Sequence, residues 1–235
     1  MPLLDEEDLV INPTTRVPMV FCLDTSGSMS GKKIEELNKA LDAFYKVLLE
    51  DRTAKYAADA CVVTFDSDVR IARPFENVSH NNVPRIGNPS GVTKLGEGVA
   101  KALDCLAARK QEYKDNGIEY YQPWLILMTD GKPVQSDPSI IESAAKKCVE
   151  MESGRKLTVI PIYIGGSAEQ DEALSVMNRF TELQSARSFD PEILPELFRW
   201  ISMSATTISN SGTGDEPQIS FDSFKPQMQS ASAIL

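Results

Sequence analysis

The chain has 235 residues, of which 42% are hydrophobic, and a formal net charge of −10. This length and composition allow one sizeable buried core, so we expect one compact α/β domain with flanking segments. Binding to a phosphate backbone needs clustered lysine and arginine, and the chain contains no run of five basic residues. We therefore expect no nucleic-acid partner.

We also expect neither export nor membrane insertion. Its first residues are acidic and have no apolar core, which disfavours a secretory signal. It has no apolar stretch of about 18 residues, so we expect neither a transmembrane helix nor a membrane partner. The four cysteines form no C-x-x-C pair and accompany a single histidine, which disfavours zinc. We interpret these thiols as buried and reduced, in a cytoplasmic protein: Cys22, Cys61, Cys105 and Cys148.

The first predicted element is a buried strand over 17–23, an apolar run that ends abruptly at Asp24. The chain then turns through a glycine-containing segment into a helix that ends near Asp51. Apolar residues recur along this helix at spacings of three and four, which predicts one face packed on a sheet. These residues are Ile34, Leu37, Leu41, Phe44 and Leu48.

A hairpin is predicted next. Two β-rich runs, 59–65 and 69–75, are separated by a short polar link, so the second run should be an antiparallel edge strand. Asp66 and Asp68 lie at this connection, and we interpret them as turn residues rather than metal ligands. The irregular segment that follows, 76–91, is long enough to indicate a functional or mobile loop.

The only histidine, His80, falls in that loop, where we expect it to be exposed. The loop leads into a helix with an apolar face and then into a central strand over 123–129, which ends at Asp130. Asp137 and Pro138 mark the start of the next helix, which runs to about Ser153. The helix after the loop is indicated by Leu95, Val99, Ala102, Leu103 and Leu106.

The last predicted elements are a strand over 157–164, a short helix over 171–180, an edge strand over 185–189 and a final helix from Asp190. Alternation of strands and helices predicts an α/β fold: a doubly wound, Rossmann-like, mostly parallel sheet with one antiparallel edge strand and helices on both faces.

The domain itself is predicted to occupy 17–210. Residues 1–16 are expected to form a loosely attached lead-in, and the Ser-, Gly-, Pro- and Gln-rich residues 211–235 a flexible tail. We expect this tail to be inert. The alternative is that its two aromatic residues, Phe221 and Phe224, dock back on the domain or bind a partner.

Oxygen-bearing side chains follow the first strand in the pattern D-x-S-x-S, namely Asp24, Ser26 and Ser28. Ligands of open α/β sheets bind just beyond the carboxyl ends of the strands, where these residues should lie. Carboxylate and hydroxyl oxygens suit Mg²⁺, Mn²⁺ or Ca²⁺. The alternative is that Asp24 and Ser26 only cap a turn and a helix.

The same pattern resembles the metal-ion-dependent adhesion site of von Willebrand factor A (vWA) domains. Thr93 in SGVTKLGEG and Asp130 in LILMTDGKP match its two further pieces, in the family's order, and have no capping reason to occur at separate sheet edges. The resemblance covers about 17–210. It implies direct metal ligation by Ser26, Ser28 and Thr93, with Asp24 and Asp130 acting largely through water.

Gly27 and Gly131 are expected to allow close backbone approach or positive φ near the ion. The resemblance implies a non-catalytic interaction module that binds an Asp or Glu side chain of a partner protein through the metal.

Several segments look most like the bacterial TerY-like vWA proteins, which are associated with tellurium resistance and other stress gene clusters. That likeness implies a role in a tellurite or stress response, beside a protein kinase and a PP2C-type phosphatase. The segments are TSGSMSG, TFDS, MTDGKP and ELFRWISMSATTIS.

Two other kinds of function stay open, a hydrolase and a scaffold. A metal-dependent phosphatase is disfavoured because such Asp-nucleophile enzymes resemble D-x-D-x-T, and Ser26 replaces the second Asp. A serine hydrolase is disfavoured because TSGSMSG does not fit G-x-S-x-G and His80 is the only histidine available as a base. The remaining alternative is a scaffold whose metal site is vestigial.

Overall fold

The computed structural model describes residues 12–166, 168–211 and 219–225. The strands are β1 (Val17–Asp24), β2 (Ala58–Phe65), β3 (Val69–Asn77), β4 (Trp124–Thr129), β5 (Thr158–Ile164) and β6 (Arg187–Phe189). The helices are α1 (Lys32–Glu50), α2 (Ala54–Ala57), α3 (Leu95–Asp115), α4 (Pro138–Ser153), α5 (Gln170–Met177) and α6 (Leu194–Asn210).

The strands form one sheet in the order β3-β2-β1-β4-β5-β6. β3 pairs antiparallel with β2, and the other pairs are parallel, as the sequence predicts. β1 is followed along the chain by β2 on one side of it, and β4 lies on its other side. This reversal of strand order creates a crevice between the carboxyl ends of β1 and β4, where ligands of such folds bind.

Helices cover both faces of the sheet, so the strands are buried on both sides. Side chains of β1 alternate between the two layers: Met19 and Phe21 face α1 and α6, whereas Val20 and Cys22 face α3 and α4. All four cysteines lie in the second of these layers, and their thiols are buried and free, as predicted.

The end of the lead-in is fixed to the sheet rather than loosely attached. Arg16 is fully buried, donates from Nη1 to the carbonyl of Tyr56 at 2.7 Å and lies 3.8 Å from Asp59. Burial acts to raise the pKa of Asp59, but the charges of Arg109 and Arg16 outweigh it and lower that pKa. The prediction of a loose segment was therefore wrong for residues 12–16, and residues 1–11 lie outside the described part.

Part of the predicted flexible tail is also packed. Phe221 is only 1% exposed, and its ring lies 5.9 Å from Trp200 and 5.7 Å from Phe189. Arg187 donates to the carbonyl of Phe221 at 3.1 Å. Residues 219–225 thus dock on β6 and α6, which corrects the expectation of an inert tail. The rest of that tail, 212–218 and 226–235, lies outside the described residues.

The long loop after β3 runs from the amino-terminal end of the parallel strands to their carboxyl-terminal end, where Asp24 lies. β3 ends at Asn77 opposite Asp59, at the edge remote from Asp24. His80 follows there and is exposed, as predicted, with Nδ1 3.1 Å from a carboxylate oxygen of Glu76.

From that edge the loop returns along α1. The Asn38 side chain accepts from the backbone N–H of Ile86 at 2.9 Å and donates to its carbonyl at 2.7 Å. Because Asn38 holds both polar groups of one residue, it fixes the path that delivers Thr93. Within the described residues, no helix is both long and apolar enough to cross a membrane.

Candidate functional site

Asp24 ends β1 and is fully buried. One carboxylate oxygen accepts the backbone N–H of Ser26 at 2.7 Å, and the other accepts the hydroxyl of Thr129 at 2.5 Å. Burial raises the pKa of Asp24 to about 6, although the hydrogen bonds from Ser26 and Thr129 lower it. The Asp24 carboxylate is thus held away from water, which disfavours its charged form. A nearby cation would stabilise that charged form.

Ser26, Ser28 and Asp130 form a hydrogen-bonded chain beside Asp24. The two serine hydroxyls lie 3.1 Å apart, and Ser28 donates to Asp130 Oδ1 at 2.7 Å. Each hydroxyl has one proton, so Ser26 is the donor to Ser28. Ser26 therefore keeps both oxygen lone pairs, and Ser28 keeps one, for a further partner.

Thr93 reaches the same edge through its loop rather than through its side chain. The N–H of Ser90 donates to the carbonyl of Thr25 at 2.9 Å, and that of Gly27 donates to Gly91 at 3.2 Å. Beyond β4, the N–H of Val134 donates to the carbonyl of Thr93 at 3.0 Å. The Thr93 loop is therefore bonded to both loops that carry the other candidates.

Thr93 is 5% exposed as a residue, and its hydroxyl makes no hydrogen bond with the described residues. Four of the five candidate side chains are thus joined by direct hydrogen bonds or by the Asp24 turn. The fifth, Thr93, lies on the adjoining loop, and its hydroxyl is not hydrogen-bonded to any described residue.

The glycines that this arrangement requires differ from those expected. Gly91 adopts φ +71°, and a Cβ there would lie 2.1 Å from Ser67 Oγ. Gly31, before α1, adopts φ +75°. By contrast, neither Gly27 nor Gly131 has a positive φ, so that part of the expectation was wrong, and at Gly131 no protein atom lies within 4 Å of an added Cβ. At Gly27 the nearest atom, the carbonyl oxygen of Gly91, would be at an ordinary 3.6 Å.

Two neighbours of the site were not predicted. Thr129, the last residue of β4, donates to Asp24, and its position directly before Asp130 was the available signal. Lys33, in the first turn of α1, places Nζ against Asp130 Oδ2. No spacing rule indicates that contact, because it depends on how α1 lies across the ends of β4 and β5.

Asp66 and Asp68 serve the hairpin, as predicted. Asp66 Oδ1 accepts the N–H of Asp68 at 2.9 Å, and Oδ2 accepts the hydroxyl of Thr25 at 3.1 Å. Arg70 pairs with both carboxylates. The Asp66 side chain is thereby used in fixing the Thr25 loop to the end of β2.

The chemistry of the donors fits a hard divalent cation. The described residues contain no group of three or more His, Cys, Asp or Glu suited to a metal, so a soft or carboxylate-rich site is absent there. What the site edge offers instead is a set of neutral hydroxyl oxygens backed by two carboxylates. Oxygen donors of this kind suit Mg²⁺, Mn²⁺ or Ca²⁺.

Comparison with known proteins identifies the class. The chain matches the family "von Willebrand factor type A domain" over residues 19–190, which is most of its length. The protein therefore belongs to the vWA domain family, as the sequence motifs indicate. No curated protein matches the chain significantly.

Solved structures agree on the fold. The vWF domain of the type V pili tip protein Mfa5 from Porphyromonas gingivalis has a TM-score of 0.61 at 14% identity, covering 86% of this chain and 99% of that one. The pilus adhesin SpaC from Lactobacillus rhamnosus GG has a TM-score of 0.63 at 13% identity, covering 82% and 31%. The ArnB paralog VWA2 from Sulfolobus acidocaldarius has a TM-score of 0.51 at 17% identity, covering 79% and 44%. Such identities support the shared fold alone.

Proposed function

We propose that this protein is a non-catalytic, metal-ion-dependent protein-binding module. In this proposal Mg²⁺, or Mn²⁺ or Ca²⁺, is held by the hydroxyls of Ser26, Ser28 and Thr93, and Asp24 and Asp130 anchor the hydroxyls and the ion's waters. The observation that carries the proposal is the Ser26–Ser28–Asp130 hydrogen-bonded chain beside the buried Asp24, at the crevice between β1 and β4.

The nature of the donors explains why the bound group would be an acidic side chain. Neutral hydroxyls leave the charge of a divalent cation largely unquenched, so the bound cation supplies a strong attraction for one further anionic ligand. Asp130 accepts the hydroxyl proton of Ser28, and Asp24 fixes the backbone of Ser26, which keeps the serine oxygens ready for that ligand. An Asp or Glu of a partner protein is the matching group.

The enzymatic alternative has less support. His80 follows the end of β3 that pairs with Asp59, at the edge of the sheet opposite Asp24, so it does not serve Ser26 or Ser28 as a general base. The position of the second acid in D-x-D-x-T enzymes is occupied by Ser26, whose oxygen is bonded to Ser28. We therefore propose binding without turnover.

The cellular role rests on the sequence likeness to TerY-like proteins. We propose a cytoplasmic stress-response or tellurite-response protein, with a protein kinase and a PP2C-type phosphatase as candidate partners. Several structural neighbours are pilus proteins, among them the adhesin SpaC, so the same fold also serves adhesion. The fold does not identify the partner that supplies the acidic side chain, so the partner has to be identified by an affinity pull-down.

Thr93→Ala tests the proposal, because it removes one proposed ligand whose hydroxyl supports no described hydrogen bond. Wild-type protein should melt at a higher temperature in Mg²⁺ or Mn²⁺ than in EDTA, since a cation at 100 times its Kd adds about 2.7 kcal/mol. Thr93→Ala should melt normally in EDTA and gain little from either cation. Thr207→Ala, which removes an exposed hydroxyl on α6, is the matched control.

The same variant tests partner binding. Capture from the native host should occur with Mg²⁺, disappear with EDTA, and fail for Thr93→Ala and Asp24→Ala, while Thr207→Ala captures normally. Undiminished capture by both site variants would refute the proposal. A wild-type protein that gains no thermal stability from millimolar Mg²⁺, Mn²⁺ or Ca²⁺ would favour the vestigial alternative instead.

A further inference from the structure

Lys33 is the basic side chain directed at the candidate site. It is the second residue of α1, and its Nζ contacts Asp130 Oδ2. The Asp130 side chain is 0% exposed and that of Lys33 29%. The lysine stem crosses the end of β5, where its Cε would lie 3.6 Å from a Cβ added at Gly165. The singly charged ammonium group of Lys33 therefore contacts Asp130, one of the two proposed metal anchors.

Neighbouring lysines are engaged elsewhere. Lys32 pairs with Glu192, and Lys132 pairs with Glu169 and Glu172. Across 12–166, 168–211 and 219–225, the ion pairs found include none between another basic residue and Asp24 or Asp130. Lys33 is thus singled out by geometry, although its neighbour Lys32 has the same charge.

The pair balances a buried charge. A carboxylate removed from water is costly unless it is paired or hydrogen-bonded. Ser28 bonds Oδ1 of Asp130 at 2.7 Å, and Lys33 contacts the other oxygen. Without a divalent cation, this lysine supplies the only full positive charge that the described part of the chain places on Asp130.

We infer that Lys33 is a built-in competitor for the metal, which sets how tightly the site binds a divalent cation. This inference rests on the proposed function and concerns the regulation of the same site. A divalent cation near Asp130 repels the ammonium group and uses the same carboxylate, so loading requires the ion pair to loosen. Lys33 compensates the charge of Asp130 while the site is metal-free and thereby lowers the affinity of the site for metal.

The opposite role would be that Lys33 positions Asp130 for the metal. The hydrogen bonds argue against it, because Ser28 already fixes Asp130 through Oδ1. Moreover, Ser28 lies on the loop that carries the proposed ligands, whereas Lys33 approaches from the helix. Removing the lysine therefore removes a competing charge and leaves the serine contact in place.

Lys33→Met tests the inference, since methionine keeps an unbranched apolar stem over Gly165 and removes the charge. Mn²⁺ and Mg²⁺ affinities are measured by calorimetry at fixed pH and ionic strength, with Mn²⁺ binding checked by electron paramagnetic resonance. Lys33→Met should bind about ten-fold more tightly than wild type. In EDTA it should melt roughly 2–4 °C lower, because Asp130 loses its partner.

Three further variants make the result specific. Lys32→Met removes the same charge one residue away and should bind metal like wild type, because Lys32 pairs with the exposed Glu192. Lys33→Arg keeps the charge and should retain the wild-type affinity. Lys33→Gln provides a second neutral side chain if the methionine variant folds poorly by circular dichroism.

The outcomes separate the two claims. Unchanged affinity in Lys33→Met and Lys33→Gln overturns the competitor role but leaves the metal site standing. Weaker binding in both also overturns it and makes Lys33 a positioning residue. Absence of metal binding in wild type and in every variant overturns both the inference and the proposed function. Tighter binding in the neutral variants alone supports the inference.

Discussion

At the scale of single residues, the site depends on how Asp24 is held. Its carboxylate is buried at the end of β1 and receives a backbone N–H from Ser26 and a hydroxyl from Thr129. These two bonds do not fully replace lost solvation, so the pKa of Asp24 rises to about 6. The fold therefore maintains a carboxylate at a cost to stability, as is common for residues kept for function.

The variant Asp24→Asn should show separately how the buried carboxylate affects stability and how it affects metal binding. In wild type the folded state keeps the Asp24 proton up to about pH 6, whereas the unfolded chain loses it near pH 4. The folded state thus binds more protons between these values, so the stability of the metal-free protein falls as pH rises through that window. Asparagine has no charge to bury and still accepts from Ser26.

In EDTA at pH 7, we expect the free energy of unfolding of Asp24→Asn to exceed that of wild type by about 1–2 kcal/mol. This difference should shrink toward pH 4. The same variant should lose its thermal response to Mg²⁺. Urea unfolding at pH 4, 5, 6 and 7 measures the first effect. A variant less stable than wild type at pH 7 without metal would contradict the account of Asp24.

At the scale of elements, the site is assembled by three loops that meet at one sheet edge. The loop after β1 brings two serines, the loop after β4 brings Asp130, and the long loop before α3 brings Thr93. Backbone bonds join these loops, including Val134 to Thr93 and Gly27 to Gly91. The placement of Thr93 therefore depends on how closely α3 packs on the sheet.

Gly98 allows that close packing of α3 on the sheet, and Gly96 allows α3 to pack equally closely on α4. A Cβ at Gly98 would lie 2.6 Å from the ring of Phe65, and one at Gly96 2.8 Å from the backbone of Ile141. Gly98 follows Thr93 by little more than one helical turn, so movement there would be passed to the loop. The start of α3 is also fixed by Ser136, whose Oγ accepts the N–H of Gly96 at 3.1 Å.

Gly98→Ala should therefore lower the free energy of unfolding by roughly 1–3 kcal/mol, the usual cost of overpacking. It should also weaken the thermal response to Mg²⁺, because the Thr93 loop shifts with the helix. Chemical denaturation with and without Mg²⁺ measures both effects. Gly87→Ala, where an added Cβ meets nothing within 4 Å, should leave stability undiminished. Equal stability of the two variants would refute the packing argument.

At the scale of the whole molecule, the sheet topology explains what the sequence could predict. The apolar runs and the helical spacing identified the strands and helices, because those patterns follow local periodicity. Asp24, Ser26 and Ser28 were placed together by their short spacing. Asp130 was placed beside them by the family's motif order and by the rule for strand ends.

Other features depend on contacts between distant segments and were missed. The contact of Lys33 with Asp130 joins positions 97 residues apart, and the docking of Phe221 depends on Trp200 and Phe189. Arg16 similarly finds Asp59 from a segment that composition alone described as loose. Periodicity carries no information on these pairings, which the arrangement of whole elements creates.

The most direct test of the central claim is a crystal grown in millimolar Mn²⁺ and measured at a wavelength where manganese scatters anomalously. The account predicts an anomalous peak bonded to the oxygens of Ser26, Ser28 and Thr93, with Asp24 and Asp130 linked to it through water. A peak bound elsewhere, or none while these side chains keep the hydrogen bonds described here, would contradict it.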